Sequence, residues 1–223
     1  MIRLQFISEK NRERYLRIIS PIGNILGKIG IHPNILTICG LILSIIACLF
    51  YANGSFFWAA WIVVLAGTCD TLDGQLARTF NKKSAFGAFF DSTLDRYSDM
   101  LLYLGIAYHF AGGKEIFFKE SSAQSIDASP WMVFIIILTI AGSFMVSYTR
   151  ARAEAIGVKC NVGLMQRAER IVLLIIGSLL ASIPGIGIYI FKLTLILLAI
   201  TTNITAVHRM IHVKSQLIKT VGS

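Results

Sequence analysis

Residues Asp70 to Asp95 read DTLDGQLARTFNKKSAFGAFFDSTLD, and this acidic stretch decides the fold. It holds four aspartates in two pairs, Asp70 with Asp73 three residues on, and Asp91 with Asp95 four residues on. The sequence on either side is almost entirely apolar. Carboxylates in membrane-like surroundings are costly unless they pair or bind cations, so acids placed there are functional candidates. The stretch therefore predicts a functional site inside a membrane protein.

The composition of the chain indicates a polytopic membrane protein. Of its 223 residues, 55% are hydrophobic and only 15% are charged, and the mean hydropathy is +0.69. These values lie well outside those of soluble domains. The net charge of +9 does not indicate nucleic-acid binding, because the basic residues fall between apolar segments without interleaved aromatic residues. We attribute most of them to membrane topology and to attraction toward anionic lipid.

The apolar segments predict an all-α integral membrane protein with six transmembrane helices after an N-terminal amphipathic surface helix. Residues 8–29 carry apolar and basic side chains on different faces, and they form most of a juxtamembrane segment, residues 1–33. Six apolar segments follow, each long enough for the about 20 helical residues that a bilayer crossing needs. Their spans are 34–52, 57–80, 85–111, 131–156, 165–183 and 186–212. Since no long linker or internal repeat occurs, we expect a single domain, residues 1–223.

The basic residues of the loops predict the orientation. Lys and Arg cluster before the first span, at 78–83, at 150–170 and after the sixth span. These connections all fall on one side, whereas the 53–56 loop and the 184–185 turn carry no charge and the 112–130 loop is mixed. Because basic loops stay in the cytoplasm, we expect a multi-pass protein of the cell (inner) membrane. Both termini and the acidic stretch would then be cytoplasmic.

The spacing of the four aspartates predicts a metal site. Residues three or four apart share a helix face, and the short 79–86 connection predicts that the second and third spans are antiparallel neighbours. All four carboxylates can then converge as oxygen ligands suited to Mg²⁺ or Mn²⁺. Asp99 continues the face of Asp91 and Asp95, although a pair with Arg96 or another basic residue explains it at least as well.

Small residues beside the acids predict room for a diphosphate. Gly74 and Gly87 lack side chains at matching depths of the two helices, and Ala77 is small one turn along from Asp73. Arg78 places a fixed cation beside the carboxylates, where a diphosphate can bridge it. Together these residues turn a general cation site into a predicted metal-phosphate site.

The acidic stretch matches in full the pattern D-x-x-D-G-x-x-A-R, eight residues, G-x-x-x-D-x-x-x-D. It resembles the signature of the CDP-alcohol phosphotransferase family of integral membrane enzymes. The resemblance implies transfer of a phosphatidyl-type group from a CDP-linked lipid to an alcohol, release of CMP, and a homodimer. It also implies that all four aspartates bind the metal and that Asp95 is the catalytic base. The residues expected to bind the CDP-linked lipid are His32, Pro33, Asn34, Ile35, Gly74, Ala77, Arg78, Ser84 and Gly87.

A second stretch indicates the acceptor of the transferred group. Residues 147–157 read SYTRARAEAIG and residues 163–170 read GLMQRAER. Their arginines, with one more at the matching end of the sixth span, can form a cup for a phosphate, with Glu154 and Glu169 holding the guanidinium planes. Positive-inside topology would also account for cations here, though not for their spacing. The arginines expected to bind the acceptor phosphate are Arg150, Arg152, Arg167, Arg170 and Arg209.

This second stretch resembles the phosphatidylinositol-phosphate synthase branch of the family, which implies inositol phosphate as the acceptor. It departs from that branch at Arg150, where Lys is usual, at Gln166, where Glu is usual, and at Ala168, where Pro is usual. Glycerol 3-phosphate or another polar alcohol stays open as the acceptor, and the lipid can be CDP-diacylglycerol or an archaeal analogue. Two other classes also stay open, an aspartate-rich intramembrane prenyltransferase and a cation transporter.

Overall fold

The structure is a computed structural model that describes residues 9–113, 128–160 and 162–221. All regular structure in these ranges is helical, which confirms the predicted all-α class for this part of the chain. Residues 1–8 of the expected juxtamembrane segment and most of the expected 112–130 loop lie outside the described residues. The helices are α1 (Glu9–Lys28), α2 (Pro33–Ala52), α3 (Phe56–Thr79), α4 (Ala85–Phe110), α5 (Pro130–Ala155), α6 (Arg167–Leu180) and α7 (Gly187–Val221).

Local sequence signals set where the helices begin. Both α2 and α5 have a proline in the first turn, where its missing N–H leaves no intrahelical bond unmade. Ser84 caps α4, because its hydroxyl oxygen accepts a hydrogen bond of 2.9 Å from the Gly87 amide. At the start of α6, Glu169 accepts a hydrogen bond of 2.7 Å from the Gln166 amide in a capping box. These caps fix where α4 and α6 begin, and charged residues follow within the first turns of both helices.

The packing places α2 against both α3 and α4, α5 against α7, and α6 against α3 and α7. Contacts of α4 with α5 and of α3 with α6 join the group of α2, α3 and α4 to the group of α5, α6 and α7. Deep in the core, the hydroxyl groups of Tyr51 and Ser178 form a hydrogen bond of 2.7 Å between α2 and α6. The largest fully buried hydrophobic side chains of this core are Tyr51, Phe110, Phe191, Ile106, Met132, Ile136, Leu174, Leu195 and Leu198.

Small residues explain why α2 lies at the centre of its group. A side chain at Gly105 of α4 would clash with the backbone of Cys48 on α2, and one at Gly40 of α2 would lie 3.6 Å from the Ala66 carbonyl oxygen on α3. Small residues of this kind let membrane helices approach closely. The second and third spans, predicted to be antiparallel neighbours, come together at their aspartates but are held together mainly through α2. Both pack against α2 rather than extensively against each other.

Four of the described helices are long and apolar enough to cross a membrane, namely α2, α3, α5 and the part of α7 from Gly187 to Ile218. Helix α4 carries four charged residues between positions 91 and 99, and α6 has only 14 residues, about 21 Å at 1.5 Å per residue. The prediction of a membrane protein with several apolar helices is confirmed. The count of six crossings stays a prediction.

The first helix buries one apolar face on the rest of the protein and exposes another. Ile19 is 4% exposed and packs with Leu36 of α2 and Leu72 of α3. On the other side, Ile18 is 73% exposed and Ile25 is 58% exposed. Helix α1 is therefore anchored to α2 and α3 while it offers an apolar surface outward.

Candidate active site

Three of the four aspartates expected to bind metal come together. Asp70 on α3 and Asp91 and Asp95 on α4 each offer a carboxylate oxygen, and these atoms lie within 4.8 Å of one another. The buried Oδ1 of Asp91 has no hydrogen-bond partner among the described residues. Converging carboxylates with an unpaired buried oxygen are unfavourable unless a cation joins them. These three residues, which we call the acid group, therefore fit a divalent cation with oxygen ligands.

Asp73 lies outside the acid group as the structure defines it. It is 5% exposed, and its Oδ2 accepts a hydrogen bond of 2.7 Å from the Thr37 hydroxyl. Because Thr37 is on α2 and Asp73 on α3, the bond holds the carboxylate between two helices. Thr37 was missed from the sequence. Its position one turn after Pro33, two residues beyond the segment expected to bind the CDP-linked lipid, was the available signal.

Arg167 at the start of α6 links the acid group to its surroundings. Its Nη1 lies 3.0 Å from Asp70 Oδ2 and 3.0 Å from Asp95 Oδ1. Its Nε donates to Asp99 Oδ1 at 3.2 Å, and the other oxygen of Asp99 accepts from Arg170 Nη2 at 3.1 Å. Of the two explanations offered for Asp99, pairing with basic residues is the one that the structure supports, and both partners come from α6.

A cavity of about 650 Å³ opens beside Asp95 and is lined by residues of α4, α5, α6 and α7. Five arginines face it but only two acids, Asp95 and Glu154, so its lining has a net positive charge. We call it the arginine cavity. Arg152 is exposed and is absent from the lining, whereas Arg96, which sequence reasoning missed, is part of it. The four expected arginines that line it are Arg150, Arg167, Arg170 and Arg209.

Arg96 could have been suggested by its place directly after Asp95 in the sequence. One of its guanidinium nitrogens donates to the carbonyl oxygen of Ser92, one turn earlier on α4, and Ser92 also lines the cavity. The same nitrogen, Nη1, lies 4.0 Å from Asp95 Oδ2. The cation is therefore held along α4 beside the carboxylate expected to act as the base.

The arginines of the cavity differ in how they are held. Arg170 is 2% exposed, and its Nη1 has no hydrogen-bond partner among the described residues. Arg209 is 4% exposed, its Nε donates to the Val162 carbonyl oxygen at 2.8 Å, and Nη1 donates to the Val146 carbonyl oxygen. Arg209 thus joins α7 to α5 and to the loop before α6, while Arg170 keeps an N–H group available.

The two glutamates expected to hold guanidinium planes have different roles. Glu154 Oε1 accepts from Arg150 Nε at 2.9 Å, as predicted. The prediction for Glu169 is wrong, because its carboxylate accepts from the Gln166 amide and caps α6 instead. An acid in the first turn of a helix is drawn to the unpaired backbone N–H groups there, which explains the difference.

The residues expected to bind the CDP-linked lipid lie at helix ends around the acid group. His32, Pro33, Asn34 and Ile35 begin α2, and the His32 ring nitrogen Nδ1 accepts from the Asn34 amide at 3.3 Å. Ser84 and Gly87 begin α4. A side chain at Gly87 would lie 2.9 Å from Ser84 Oγ and 3.6 Å from Asn34 Oδ1, so the starts of α2 and α4 meet there.

The last turns of α3 contribute Gly74, Ala77 and Arg78 to the same expected set. A side chain at Gly74 would lie 3.5 Å from Arg78 Nη1, so the guanidinium group lies beside the bare backbone of Gly74. Lys82, which follows α3 and was missed from the sequence, donates to the carbonyl oxygens of Gly30 and Ile31 at 3.2 and 3.1 Å. It ties the α3–α4 connection to the α1–α2 turn, directly before His32.

Comparison with known proteins agrees with this arrangement. The family model for CDP-alcohol phosphatidyltransferase matches residues 30–207. An archaetidylinositol phosphate synthase of Pyrococcus horikoshii is 35% identical over 209 residues, which cover 93% of this chain and 97% of that protein. A phosphatidylinositol phosphate synthase of Streptomyces avermitilis is 31% identical over 212 residues, which cover 92% of this chain and 81% of that protein.

Solved structures give the same result. The crystal structure of Mycobacterium tuberculosis phosphatidylinositol phosphate synthase with CDP-DAG bound has a TM-score of 0.76 and 29% identity, covering 88% of this chain and 94% of that chain. The structure of the same enzyme in complex with manganese and citrate has a TM-score of 0.73 and 29% identity, covering 86% and 87%. The match of the family model over most of the sequence, together with relatives of this identity and coverage, shows that the chain belongs to the CDP-alcohol phosphatidyltransferase family.

Proposed function

We propose that the chain transfers a phosphatidyl-type group from a CDP-linked lipid to inositol phosphate, releasing CMP, in phospholipid biosynthesis. The lipid is CDP-diacylglycerol or its archaeal analogue. The observation that carries the proposal is the arginine cavity, which opens beside Asp95 and so next to the acid group. Its volume of about 650 Å³ is suited to a small polar ligand. Family membership favours this function over a prenyltransferase or a cation transporter.

We assign the chemistry to groups on either side of Asp95. The acceptor hydroxyl oxygen forms a bond to the lipid-bearing phosphorus, the phosphoanhydride bond to CMP breaks, and CMP leaves with the electron pair. Asp95 takes the hydroxyl proton, because its carboxylate belongs both to the acid group and to the cavity lining. Asp70, Asp91 and Asp95 would hold Mg²⁺ or Mn²⁺, which neutralises the charge of the diphosphate. We keep Asp73 in the proposed ligand set, held in place by Thr37.

The helix ends around the acid group form the proposed site for the CDP-linked lipid. Gly74 and Gly87 leave backbone accessible, and Arg78 supplies a cation for the diphosphate. Ala77 lies one turn along α3 from Asp73, and its small side chain keeps that face open. The remaining residues of this proposed site are His32, Pro33, Asn34, Ile35 and Ser84.

The arginine cavity is the proposed acceptor site. Arg170 carries the clearest recognition group, a buried N–H without a partner among the described residues. A buried donor left without an acceptor costs about 1–3 kcal/mol, so a phosphate oxygen in the cavity would be bound favourably. Arg150, Arg167 and Arg209 add positive charge around it. Arg152, exposed outside the lining, is proposed only to attract the anionic acceptor toward the opening.

CMP release from the purified protein tests the function. With Mg²⁺ and CDP-diacylglycerol, we expect CMP with inositol phosphate and far less with unphosphorylated inositol. Glycerol 3-phosphate, the second candidate acceptor, is measured in parallel, and an archaeal CDP-linked diether is tested as the second lipid. If no phosphorylated polyol supports CMP release with either lipid, the proposed enzyme activity is wrong.

We propose further that all six helices from α2 to α7 cross the membrane as one domain, with α1 on the surface. Support comes from outward-facing apolar side chains on the two helices that are short or charged, such as Leu104 of α4 at 53% exposure and Ile176 of α6 at 48%. In this arrangement the acid group, the arginine cavity and both termini are at the cytoplasmic face of the inner membrane, as the basic loops predict.

Single-cysteine labelling tests this topology, in a background without the native cysteines. Lys83→Cys and Ala128→Cys bracket α4, and Lys159→Cys and Ser182→Cys bracket α6. A membrane-impermeant maleimide should label the lysine positions only in inside-out vesicles and the other two only in right-side-out vesicles. Labelling of both members of a pair from one side would mean that the helix between them does not cross.

A homodimer is the last part of the proposal, and it rests on the family resemblance. Light scattering of the protein in detergent should give a protein mass of about twice 24.6 kDa. A mass of one chain at concentrations that retain activity would exclude the dimer as the active form.

A further inference from the structure

Asp99 has an unusual place in the site, since it is deeply buried but is not part of the acid group. It is 6% exposed and lies on α4, one turn beyond Asp95. Its two carboxylate oxygens are divided between two arginines, Oδ1 to Arg167 Nε and Oδ2 to Arg170 Nη2. Those arginines are three residues apart on one face of α6. One carboxylate thus fixes two guanidinium groups that line the arginine cavity.

The atoms that Asp99 uses determine which atoms stay available. Arg170 has no other ion pair among the described residues, and its buried Nη1 is left without a hydrogen-bond partner there. Arg167 uses Nε for Asp99, so its Nη1 can reach the oxygens of Asp70 and Asp95. An arginine side chain has several rotatable bonds, and a bond to a buried carboxylate removes much of that freedom before a ligand arrives.

We propose that Asp99 is a positioning residue for the acceptor, which holds Arg167 and Arg170 in the orientation that binds the acceptor phosphate. The proposal rests on the proposed function, because it assigns the arginine cavity to the acceptor. Asp99 does not touch the reacting atoms and acts through the two arginines. Its loss should therefore weaken binding of the acceptor without weakening binding of the CDP-linked lipid.

The first test is Asp99→Asn, which keeps the shape but loses the negative charge. Two charge-assisted hydrogen bonds are weakened, so the KM for inositol phosphate should rise about 10–100-fold while the KM for CDP-diacylglycerol stays within about twofold. Calorimetric titration with inositol phosphate should show the same loss of affinity without turnover. Asp99→Glu keeps the carboxylate and should recover part of the loss. Equal increases in both KM values, or no change in either, would overturn the proposal.

A matched control separates positioning from stability. Tyr51→Phe removes the buried hydrogen bond to Ser178, which lies on α6 about two turns from Arg170. It should lower the Tm but leave the KM for inositol phosphate within about twofold of the wild-type value, because distant sites act independently. If this variant raised the acceptor KM as much as Asp99→Asn does, general destabilisation would explain both results and the positioning role would be wrong.

A double variant tests the simpler role for Asp99, which is only to neutralise the charge of Arg170. Loss of Asp99 alone leaves a buried arginine uncompensated and can impair folding, whereas Asp99→Asn combined with Arg170→Gln leaves no such charge. If Asp99 also positions Arg167, the double variant should have a KM for inositol phosphate about 3–10-fold above that of Arg170→Gln alone. Equal KM values for the double variant and Arg170→Gln would show that Asp99 only neutralises Arg170. Failure of the proposed function is separate, because the wild-type protein would then release no CMP.

Discussion

The two sides of the proposed active site are built in different ways. On one side, the acid group comes from a single stretch of 26 residues on α3 and α4, and its negative charges converge without enough cations to balance them. On the other side, the arginine cavity is lined by residues of four helices. Five arginines face it, and Asp95 and Glu154 are the only acids among the described residues of its lining. The acid group is therefore suited to bind a cation, and the arginine cavity is suited to bind an anion.

Two residues belong to both sides. Asp95 is a member of the acid group and also lines the arginine cavity. Arg167 lines the cavity and lies within 3.0 Å of oxygens of Asp70 and Asp95. The comparison shows that the two binding regions are joined by one acidic residue and one basic residue, each of which contacts both regions. The remaining residues should affect only the side on which they lie.

The largest expected effect is that of Asp95→Asn at the boundary. The amide cannot take the proton from the acceptor hydroxyl, and loss of a general base costs about 10²–10⁴-fold in rate. We expect kcat to fall by that factor while the affinity for CDP-diacylglycerol, measured by calorimetry, largely survives. The matched variant Ser98→Ala changes a neighbouring buried residue of α4 and should retain activity. Near-normal turnover of Asp95→Asn would remove Asp95 as the base.

The next effect separates the two arginines held by Asp99. Arg167→Gln and Arg170→Gln should each raise the KM for inositol phosphate about 10–100-fold, because each removes a charged donor from the cavity. Only Arg167→Gln should also tighten Mn²⁺ binding, by about tenfold, since it removes a cation that competes for oxygens of the acid group. Mn²⁺ titration followed by electron paramagnetic resonance, without substrates, measures this. Equal Mn²⁺ affinity in the two variants would mean that Arg167 does not join the two sides.

The acid group lies in one stretch of sequence and the arginine cavity combines four helices, and this difference explains how well each side could be predicted from the sequence. The acid side was accessible because helix periodicity alone brings Asp91 and Asp95 to one face, and because acids are costly in apolar surroundings. The structure adds that Asp73 is bonded by Thr37 rather than placed in the acid group. That bond joins two residues that are 36 positions apart in sequence and lie on different helices, and no local pattern predicts it.

The cavity side was predicted less completely because it depends on packing between distant helices. Charge and spacing pointed to four of its arginines, but they did not distinguish Arg152 from Arg150. Both are exposed, and only Arg150 lines the cavity. Arg96 was missed because it was read only as a partner for Asp99. Most helix boundaries were predicted to within three residues from the apolar segments, although α7 continues to Val221 rather than ending at residue 212. The central place of α2, in contrast, depends on small residues whose partners lie far along the chain.

A moderate effect is expected on the acid side from Thr37→Val. The substitution keeps the shape of the side chain but removes the hydroxyl that donates to Asp73. A hydrogen bond to a charged group contributes about 1.5–3 kcal/mol, and part of this is regained when Asp73 rearranges, so kcat/KM for CDP-diacylglycerol should fall about 5–20-fold. Thr139→Val is the control, because Thr139 is also buried but donates only to Ile135 on its own helix. A similar loss in both variants would assign the effect to packing.

The smallest expected effect tests the edge of the arginine cavity. Both arginines are exposed, but Arg150 lines the cavity and is paired with Glu154, whereas Arg152 lies outside the lining. Isolated exposed charges contribute little to binding, so Arg152→Gln should change the KM for inositol phosphate by no more than about twofold, and high salt should abolish the difference. Arg150→Gln should have the larger effect, and part of it should persist at high salt because its side chain can reach the bound phosphate directly. If the Arg152 variant were the weaker binder of the two, the acceptor site would extend beyond the cavity toward the end of α5, and the boundary drawn here between its two sides would have to move with it.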